Sequence, residues 1–218
     1  MDVKYSEENM KVRFIGDIHG AWNDYCRVIN DNLPADQMSI QLGDFGVGFG
    51  RREHWDPILN DPDAPNNFFI RGNHDNPNEC CKHPRFIPDG TVHSGVFCCG
   101  GGLSIDREWR IEGMDWWPGE ELSYSELQAV IDKYAILKPD YVATHDAPEN
   151  IIPYMFPHYI KGQYPSRTRQ AFQTMFEIHR PKVWVYGHWH PQGINRYQFD
   201  NTSFRCIGIN QYEDIEIE

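Results

Sequence analysis

The sequence predicts an α/β fold in which helices cover a largely buried β-sheet. Two observations predict it: short apolar runs of strand length alternate with helix-like segments, and a buried strand directly follows the best-defined helix. The 218 residues are 40% hydrophobic and 24% charged, which is typical of a globular chain. Because this length suits one domain and is short for two, we expect a single domain over residues 1–218.

Six short apolar runs, several of them rich in valine, isoleucine and aromatic residues, are predicted to be strands. They span residues 11–15, 38–42, 68–70, 95–99, 141–144 and 183–186. The acidic tail at 213–218 alternates charged and apolar residues like an edge strand, and a disordered end is the alternative interpretation.

Three helices are predicted, over residues 22–32, 123–137 and 167–178. The middle helix has the clearest start, because Ser123 and Glu126 have the spacing of a capping box. Lys138-Pro139 ends this helix, and the strand predicted at 141–144 follows directly.

The formal charge of −12 argues against extended nucleic-acid binding, because an acidic surface repels phosphate backbones. No run approaches 18 apolar residues and the mean hydropathy is −0.64, so we expect a soluble protein without a membrane span. The N-terminal residues are polar and acidic and do not resemble a secretory signal.

The six cysteines are expected to be reduced, in a cytoplasmic protein. Four of the cysteines form two pairs of sequence neighbours, Cys80-Cys81 and Cys98-Cys99, and the side chains of neighbours in a strand point to opposite faces. This argues against disulfides and against a structural zinc site at these positions.

Five polar motifs each follow a predicted strand. They are Gly16-Asp17-Ile18-His19-Gly20, Gly43-Asp44-Phe45-Gly46, Gly72-Asn73-His74-Asp75, His145-Asp146 and Gly187-His188-Trp189-His190. Since ligand sites of open α/β sheets lie at the carboxyl ends of strands, we expect these turns to converge at one edge. The flanking glycines are expected to let the backbone turn sharply, so that the polar side chains point inward.

The residue types in these turns suit metal binding. The candidate ligands are two carboxylates, one amide and four imidazoles: Asp17, His19, Asp44, Asn73, His145, His188 and His190. Mixed oxygen and nitrogen donors suit Mn, Fe, Zn or Ni rather than a thiolate zinc site. Because seven ligands exceed what one open catalytic site uses, they predict two metal ions that share one bridging carboxylate.

In this order, the motifs resemble those of the calcineurin-like metallophosphoesterase superfamily, with its small bacterial and phage members, over residues 16–190. The resemblance implies a four-layer α/β/β/α sandwich with a dinuclear metal site at the carboxyl ends of the strands. It implies a first metal ion on Asp17, His19 and His190, a second on Asn73, His145 and His188, and Asp44 as the bridge. It also implies that His74 contacts the scissile phosphate or its leaving group, with Asp75 as its orienting partner.

Elementary chemistry supports these roles. Two metal ions can clamp an in-line phosphoryl displacement and provide a metal-bound hydroxide near neutral pH. The leaving alkoxide still needs a proton, which His74 is placed to give, and a carboxylate such as Asp75 favours its charged form. The alternative for Asp75 is that it caps the helix that follows.

We therefore expect a metal-dependent phosphoesterase that hydrolyses phosphomonoesters or phosphodiesters, with a small or nucleotide-type phosphorylated substrate. The expected cofactors are two divalent metal ions, Mn²⁺ first, with Fe, Zn or Ni as alternatives. Three other functions stay open: a protein serine/threonine phosphatase, a nuclease, and a catalytically silent metal-binding or interaction protein. The sequence does not determine the oligomeric state or the choice between monoester and diester.

The segment at 43–50 lacks the acid–arginine pair that follows the second motif in the protein phosphatases of this superfamily, where the arginine holds phosphate. The third motif ends in Asp75, where those enzymes have glutamate. The candidates for a replacement phosphate ligand are Arg51, Arg52, Arg71 and Arg107.

A long segment without clear periodicity, residues 100–122, connects a strand to a helix, and such segments are often functional. We call it the tryptophan loop, because it contains Trp109, Trp116 and Trp117. The three indole rings are expected either to pin the loop to the core or to form a wall on which a nucleobase or aromatic leaving group stacks.

Overall fold

The computed structural model describes residues 10–30, 33–34, 36–159 and 161–218, and two β-sheets lie face to face in it. The first sheet has the strand order β10 (Tyr212–Ile217), β1 (Met10–Ile15), β2 (Met38–Gln41) and β3 (Asn67–Phe69). The strands β1, β2 and β3 are parallel, and β10 pairs antiparallel with β1 at the edge. The prediction that the acidic tail at 213–218 forms an edge strand is therefore confirmed.

The second sheet has six strands. Their order is β4 (Thr91–His93), β5 (Val96–Cys99), β6 (Tyr141–Thr144), β7 (Val183–Tyr186), β9 (Thr202–Ile207) and β8 (Ile194–Phe199). The four central strands are parallel, and β4 and β8 pair antiparallel at the two edges. Parallel strands β1, β2, β3, β6 and β7 thus carry the five polar motifs at their carboxyl ends.

Within the described residues, six α-helices flank the sheets. They are α1 (Trp22–Asn30), α2 (Arg52–Leu59), α3 (Pro77–Cys80), α4 (Tyr124–Leu137), α5 (Ile152–Met155) and α6 (Arg167–Ile178). Tyr25 of α1 and Trp55 of α2 pack into a core on the outer face of the first sheet. Tyr134 of α4 and Phe172 of α6 pack with Trp184 on the outer face of the second.

A third core fills the space between the two sheets, where Phe14 and Ile40 of one sheet cluster with Val96 and Val185 of the other. Burial of apolar side chains on both faces of each sheet explains why the strands are continuous hydrophobic runs. The layers follow the order helix, sheet, sheet, helix, so the predicted four-layer α/β/β/α sandwich is confirmed.

The six predicted strands and three predicted helices are all present. The first helix runs to Asn30, and residues 31 and 32 of its predicted span lie outside the described residues. The capping box is confirmed: Ser123 Oγ accepts a hydrogen bond from the Glu126 amide at 3.3 Å, and Glu126 accepts one from the Ser123 amide at 2.8 Å. Lys138 ends α4 in the left-handed conformation, with φ of 44°.

Several elements were not predicted: the strands β4, β8 and β9, and the helices α2, α3 and α5. Three of them, β4, α3 and α5, are too short for a hydrophobic period to show, and α2 contains Pro57. Cys98 belongs to the core between the sheets and Cys99 to the outer core, as expected of neighbours in a strand. In the part of the chain that the structure describes, no helix has the length and apolar character needed to cross a membrane.

Candidate metal centre

The five polar turns converge where the carboxyl ends of the two sheets meet. Asp17, Asp44, Asn73 and His145 are almost completely buried there. His190 lies at the solvent edge, with 41% of its side chain exposed. The seven predicted ligands therefore come together in one site that is closed at its base and open on one side.

Four of the predicted ligands form a first donor set. Asp17, His19, Asp44 and His190 each offer a donor atom, and these atoms all lie within 4.8 Å of one another. His190 Nε2 lies 2.8 Å from Asp17 Oδ2 and 3.1 Å from His19 Nε2. Such a cluster of carboxylate and imidazole donors fits a divalent cation.

A second donor set adjoins the first. Asp44, His145 and His188 offer donor atoms within 4.8 Å of one another. Asn73 Oδ1 lies 2.8 Å from His145 Nε2 and 2.9 Å from His188 Nδ1, so the amide oxygen belongs to the same cluster. Asp44 is common to both sets, as a bridging carboxylate must be, and the residues present fit two divalent ions.

The backbone is strained at four of the ligand positions. His19, Asp44, His188 and His190 have φ values of 48°, 55°, 65° and 46°, in the left-handed region that residues other than glycine seldom adopt. Each such residue costs on the order of 1 kcal/mol. Backbone hydrogen bonds hold two of the turns: the His74 amide donates to Asp44 Oδ1 at 2.7 Å, and the His188 amide donates to Asp17 Oδ1 at 3.0 Å.

The glycines beside the ligands serve two purposes rather than the single one expected. Gly43 has φ of +94° and does permit a sharp turn. Gly72 and Gly187 instead permit close approach, because a Cβ atom at Gly72 would lie 2.0 Å from Asp44 Oδ1 and one at Gly187 would lie 2.3 Å from Asp17 Oδ1. The carboxylates of the site thus pack directly against backbone.

The charges of the site shift the pKa values of its members in opposite directions. Burial raises the pKa of Asp44, but His145, His74 and His19 together outweigh it and hold that pKa well below the usual range. For His145, burial lowers the pKa, but Asp44 outweighs it and raises the pKa to about 10. Burial dominates at His188 and lowers its pKa to about 4.

The prediction for Asp75 needs correction. Its carboxylate accepts hydrogen bonds from the backbone amides of Gly46 and Val47, at 2.8 and 2.9 Å, and from that of Gly72, at 2.8 Å. Among the described residues, no hydrogen bond joins it to His74, so the expected orienting contact is absent. The first residue of α3 is capped by Asn76 rather than Asp75. Asp75 instead ties the loop after β2 to the loop after β3.

The orienting partner of His74 comes from the tryptophan loop. His74 Nδ1 lies 2.9 Å from the backbone oxygen of Asp115, and because a carbonyl oxygen only accepts, Nδ1 carries the hydrogen. His74 Nε2 lies 4.0 Å from a carboxylate oxygen of Asp106. Sequence reasoning missed both contacts, because the partners are distant in the chain and no local pattern marks them.

The tryptophans of this loop differ in environment. Trp117 is buried and stacks on Phe49, and Trp116 Nε1 donates a hydrogen bond to Glu120 at 2.8 Å. Trp109 is 86% exposed. The interpretation that the rings pin the loop to the core thus holds for Trp117, whereas Trp116 bonds within the loop, and the three rings do not form one wall.

A cavity of about 310 Å³ opens above the donor sets. Besides Asp44, Asn73 and three histidines, its lining includes six further residues: Ser104, Ile105, Asp106, Arg110, Arg169 and Trp189. None of the four arginines suggested by the sequence lines it. Arg71 is buried in an ion pair with Asp89 and Arg52 pairs with Asp56, whereas Arg51 and Arg107 are exposed.

Fold and site together define a class: a two-sheet α/β sandwich with adjoining carboxylate–imidazole donor sets at its strand ends. The family model described as calcineurin-like phosphoesterase matches residues 10–192. The chain belongs to the calcineurin-like phosphoesterase family, whose members act on phosphorylated substrates.

Two solved structures illustrate the likeness in fold. TT1561 of Thermus thermophilus is 13% identical, with a TM-score of 0.53 and coverage of 96% of this chain and 100% of that one. The phosphopantetheinyl hydrolase PptH from Mycobacterium tuberculosis is 14% identical, with a TM-score of 0.56 and coverage of 94% and 92%. No curated protein sequence matches this chain significantly.

The opposite pKa shifts of two histidines predict that the metal-free chain is most stable near pH 6.5. Above that pH the free energy of unfolding should fall toward pH 10, because the folded chain keeps a proton on His145 that the unfolded chain releases. Below it the free energy should fall toward pH 4, because His188 is neutral in the folded chain and takes up a proton on unfolding. Each group contributes at most about 1.4 kcal/mol per pH unit.

Chemical denaturation of chelator-treated protein at about pH 5, 6.5 and 9 measures this dependence. His145→Gln should reduce the fall on the alkaline side, to which His19 with its raised pKa also contributes, whereas His158→Gln, at an exposed position outside the site, should leave it unchanged. A free energy of unfolding that stays level or rises between pH 6.5 and 9 contradicts the charge pairing of His145 with Asp44.

Proposed function

We propose that this protein is a dinuclear metal-dependent phosphoesterase that hydrolyses a small or nucleotide-type phosphomonoester or phosphodiester. The observation that carries the proposal is the pair of donor sets that share Asp44, next to His74, at the base of a cavity of about 310 Å³. A cavity of this size takes a phosphoryl group with a modest leaving group. Family membership supports the reaction class, since calcineurin-like phosphoesterases cleave phosphate esters.

In this proposal Asp17, His19 and His190 hold one divalent ion, Asn73, His145 and His188 hold the other, and Asp44 bridges them. Mn²⁺ is the first candidate, because the donors mix carboxylate and amide oxygens with imidazole nitrogens. When bound, the two ions would supply Lewis-acid stabilisation of the phosphoryl charge and ionise a water molecule near neutral pH. Asp75 is proposed as a positioning residue, which fixes the loops that carry Asp44 and Asn73.

His74 is proposed to donate a proton from Nε2 to the departing oxygen. Its Nδ1 hydrogen is engaged by the Asp115 carbonyl, so Nε2 is the ring nitrogen left to act at the cavity. A carboxylate oxygen of Asp106 lies 4.0 Å from Nε2 at the same cavity wall. General acid catalysis of this kind contributes roughly 10²- to 10⁴-fold.

Removal of metal should abolish the activity. Treatment with a chelator followed by dialysis is expected to eliminate hydrolysis of an aryl phosphate and of its diester, and added Mn²⁺ should restore it. The ratio of the two activities separates a monoesterase from a diesterase. Activity that survives complete metal removal would rule out this mechanism, and metal binding without turnover on any phosphate ester would favour the silent metal-binding protein.

His74→Ala should slow hydrolysis of an alkyl phosphate by about 10²-fold or more, and of an aryl phosphate by less, because an aryl oxide leaves without a proton. Rates for both substrates and the metal content, by elemental analysis, are the measurements. The same variant should bind two metal ions as the wild type does. Loss of a metal ion, or equal loss of rate on both substrates, contradicts the proposed role.

Ser104→Ala should weaken binding of one Mn²⁺ ion by about tenfold, because hydrogen-bond partners of metal ligands typically contribute this much. Asn73 Nδ2 donates to Ser104 Oγ at 2.8 Å, and this bond keeps the amide oxygen toward His145 and His188. Calorimetric titration of the metal-free protein with Mn²⁺ measures the effect. Ser125→Ala, at an exposed position on α4, is the matched control, and equal affinities in the two variants would count against the role of Ser104.

A further inference from the structure

Two arginines line the cavity, Arg110 and Arg169, and their surroundings differ. The Arg169 guanidinium is completely buried, and all three of its nitrogens are engaged. Nε donates to Glu149 at 2.8 Å, Nη1 donates to Asp146 at 3.3 Å, and Nη2 donates to the backbone oxygen of Tyr164. Arg169 therefore holds structure together and has little capacity left for a ligand.

The guanidinium of Arg110 is only partly engaged in hydrogen bonds. Its Nε and Nη2 donate to Asp106 Oδ2 at 2.9 and 2.6 Å, so one edge of the guanidinium is fixed by a carboxylate four residues earlier. Its Nη1 forms only a looser ion pair with Asp115, whose nearest carboxylate oxygen lies 3.6 Å away. The side chain is 28% exposed, at the cavity wall that also includes His74 and Asp44.

This arrangement suits a phosphate ligand. A planar guanidinium presents N–H donors to phosphate oxygens in a fixed geometry, and anchorage by Asp106 reduces the side-chain freedom that binding would remove. The charge is also required, since the chain carries −12 overall and the cavity wall contains Asp106 as well. Of the two arginines that line the cavity, Arg110 has the less engaged guanidinium, because Asp115 pairs with Nη1 only at 3.6 Å.

We infer that Arg110 binds a non-bridging oxygen of the substrate phosphate through Nη1, with Asp106 as its anchor. The inference rests on the proposed function for this site and adds the residue that recognises the phosphoryl group. The segment at 43–50 lacks an acid–arginine pair, and Asp106 and Arg110 provide one from the tryptophan loop instead. Because Asp106 also lies 4.0 Å from His74, the loop that binds the phosphate in this inference also contacts the proposed proton donor.

Inorganic phosphate is the probe that tests the inference, in calorimetric titrations of Mn²⁺-loaded protein. Arg110→Gln should weaken phosphate binding by about tenfold or more. Arg110→Lys, which keeps the charge but loses the planar arrangement of N–H donors, should weaken it by a smaller factor. Arg107→Gln is the matched control. It removes the same charge three residues earlier in the chain, and the Arg107 side chain is exposed and does not line the cavity. It should bind phosphate within about twofold of the wild type.

Thermal unfolding and metal content of each variant check that the fold and the metal site are kept. Where an ester is hydrolysed, the KM of Arg110→Gln should rise by a factor similar to the change in phosphate affinity. Three results would each overturn the inference. Arg110→Gln could bind phosphate as tightly as the wild type, Arg107→Gln could lose as much phosphate affinity as Arg110→Gln, or the wild type could fail to bind phosphate at all.

The same experiment separates the two proposals. Hydrolysis by the wild type with unchanged phosphate affinity in Arg110→Gln refutes the role of Arg110 and leaves the phosphoesterase proposal in place. Weaker phosphate binding in Arg110→Gln, in a protein that hydrolyses no phosphate ester, refutes the phosphoesterase proposal and leaves Arg110 as a phosphate ligand.

Discussion

The site depends on one buried carboxylate, that of Asp44. It is 1% exposed, lies at the junction of the two sheets, and belongs to both donor sets. An unpaired charge at such a position costs several kcal/mol, so the fold must supply positive partners for it. In the chain alone these are the His74 amide at 2.7 Å and the imidazoles of His145 and His19 at 3.5 and 3.7 Å. Two divalent ions would take over that role from the imidazolium charges.

Close packing around Asp44 explains features that are unrelated in sequence. Gly72 is required because any side chain there would collide with the carboxylate. Asp75 is buried next to it, and burial together with the charge of Asp44 raises the pKa of Asp75. The Asp75 carboxylate accepts hydrogen bonds from backbone amides of the loop that follows Asp44 and from the amide of Gly72. A second carboxylate therefore fixes the geometry of the first, at an electrostatic cost that these hydrogen bonds offset.

The parts of the fold and site that were predictable are those encoded locally. Each candidate metal ligand lies within a few residues of a strand end, and a capping box marks the start of α4. The edge strands β4 and β8 were missed because their faces are only partly buried and their runs lack a clear apolar pattern. Asp75 looked like a partner for His74 because the two are neighbours, yet its carboxylate bonds to backbone of the other loop. The sequence does not distinguish Arg107 from Arg110 as a cavity residue. The chain makes a 3₁₀ turn over Arg107–Trp109, and of the two arginines Arg110 lines the cavity.

The remaining unpredicted contacts share one origin, the tryptophan loop, which carries Ser104, Asp106, Arg110 and Asp115. Its own shape is held by Glu120, which accepts hydrogen bonds from the Ser104 amide at 3.1 Å and from Trp116 Nε1 at 2.8 Å. Burial of Trp117 against Phe49 holds the far side of the loop. The strand ends therefore supply the candidate metal donors, and this single loop supplies the groups that orient the Asn73 amide, fix the tautomer of His74 and, in our proposal, bind the phosphate. In that proposal substrate recognition depends on this loop, and metal binding depends on the strand ends.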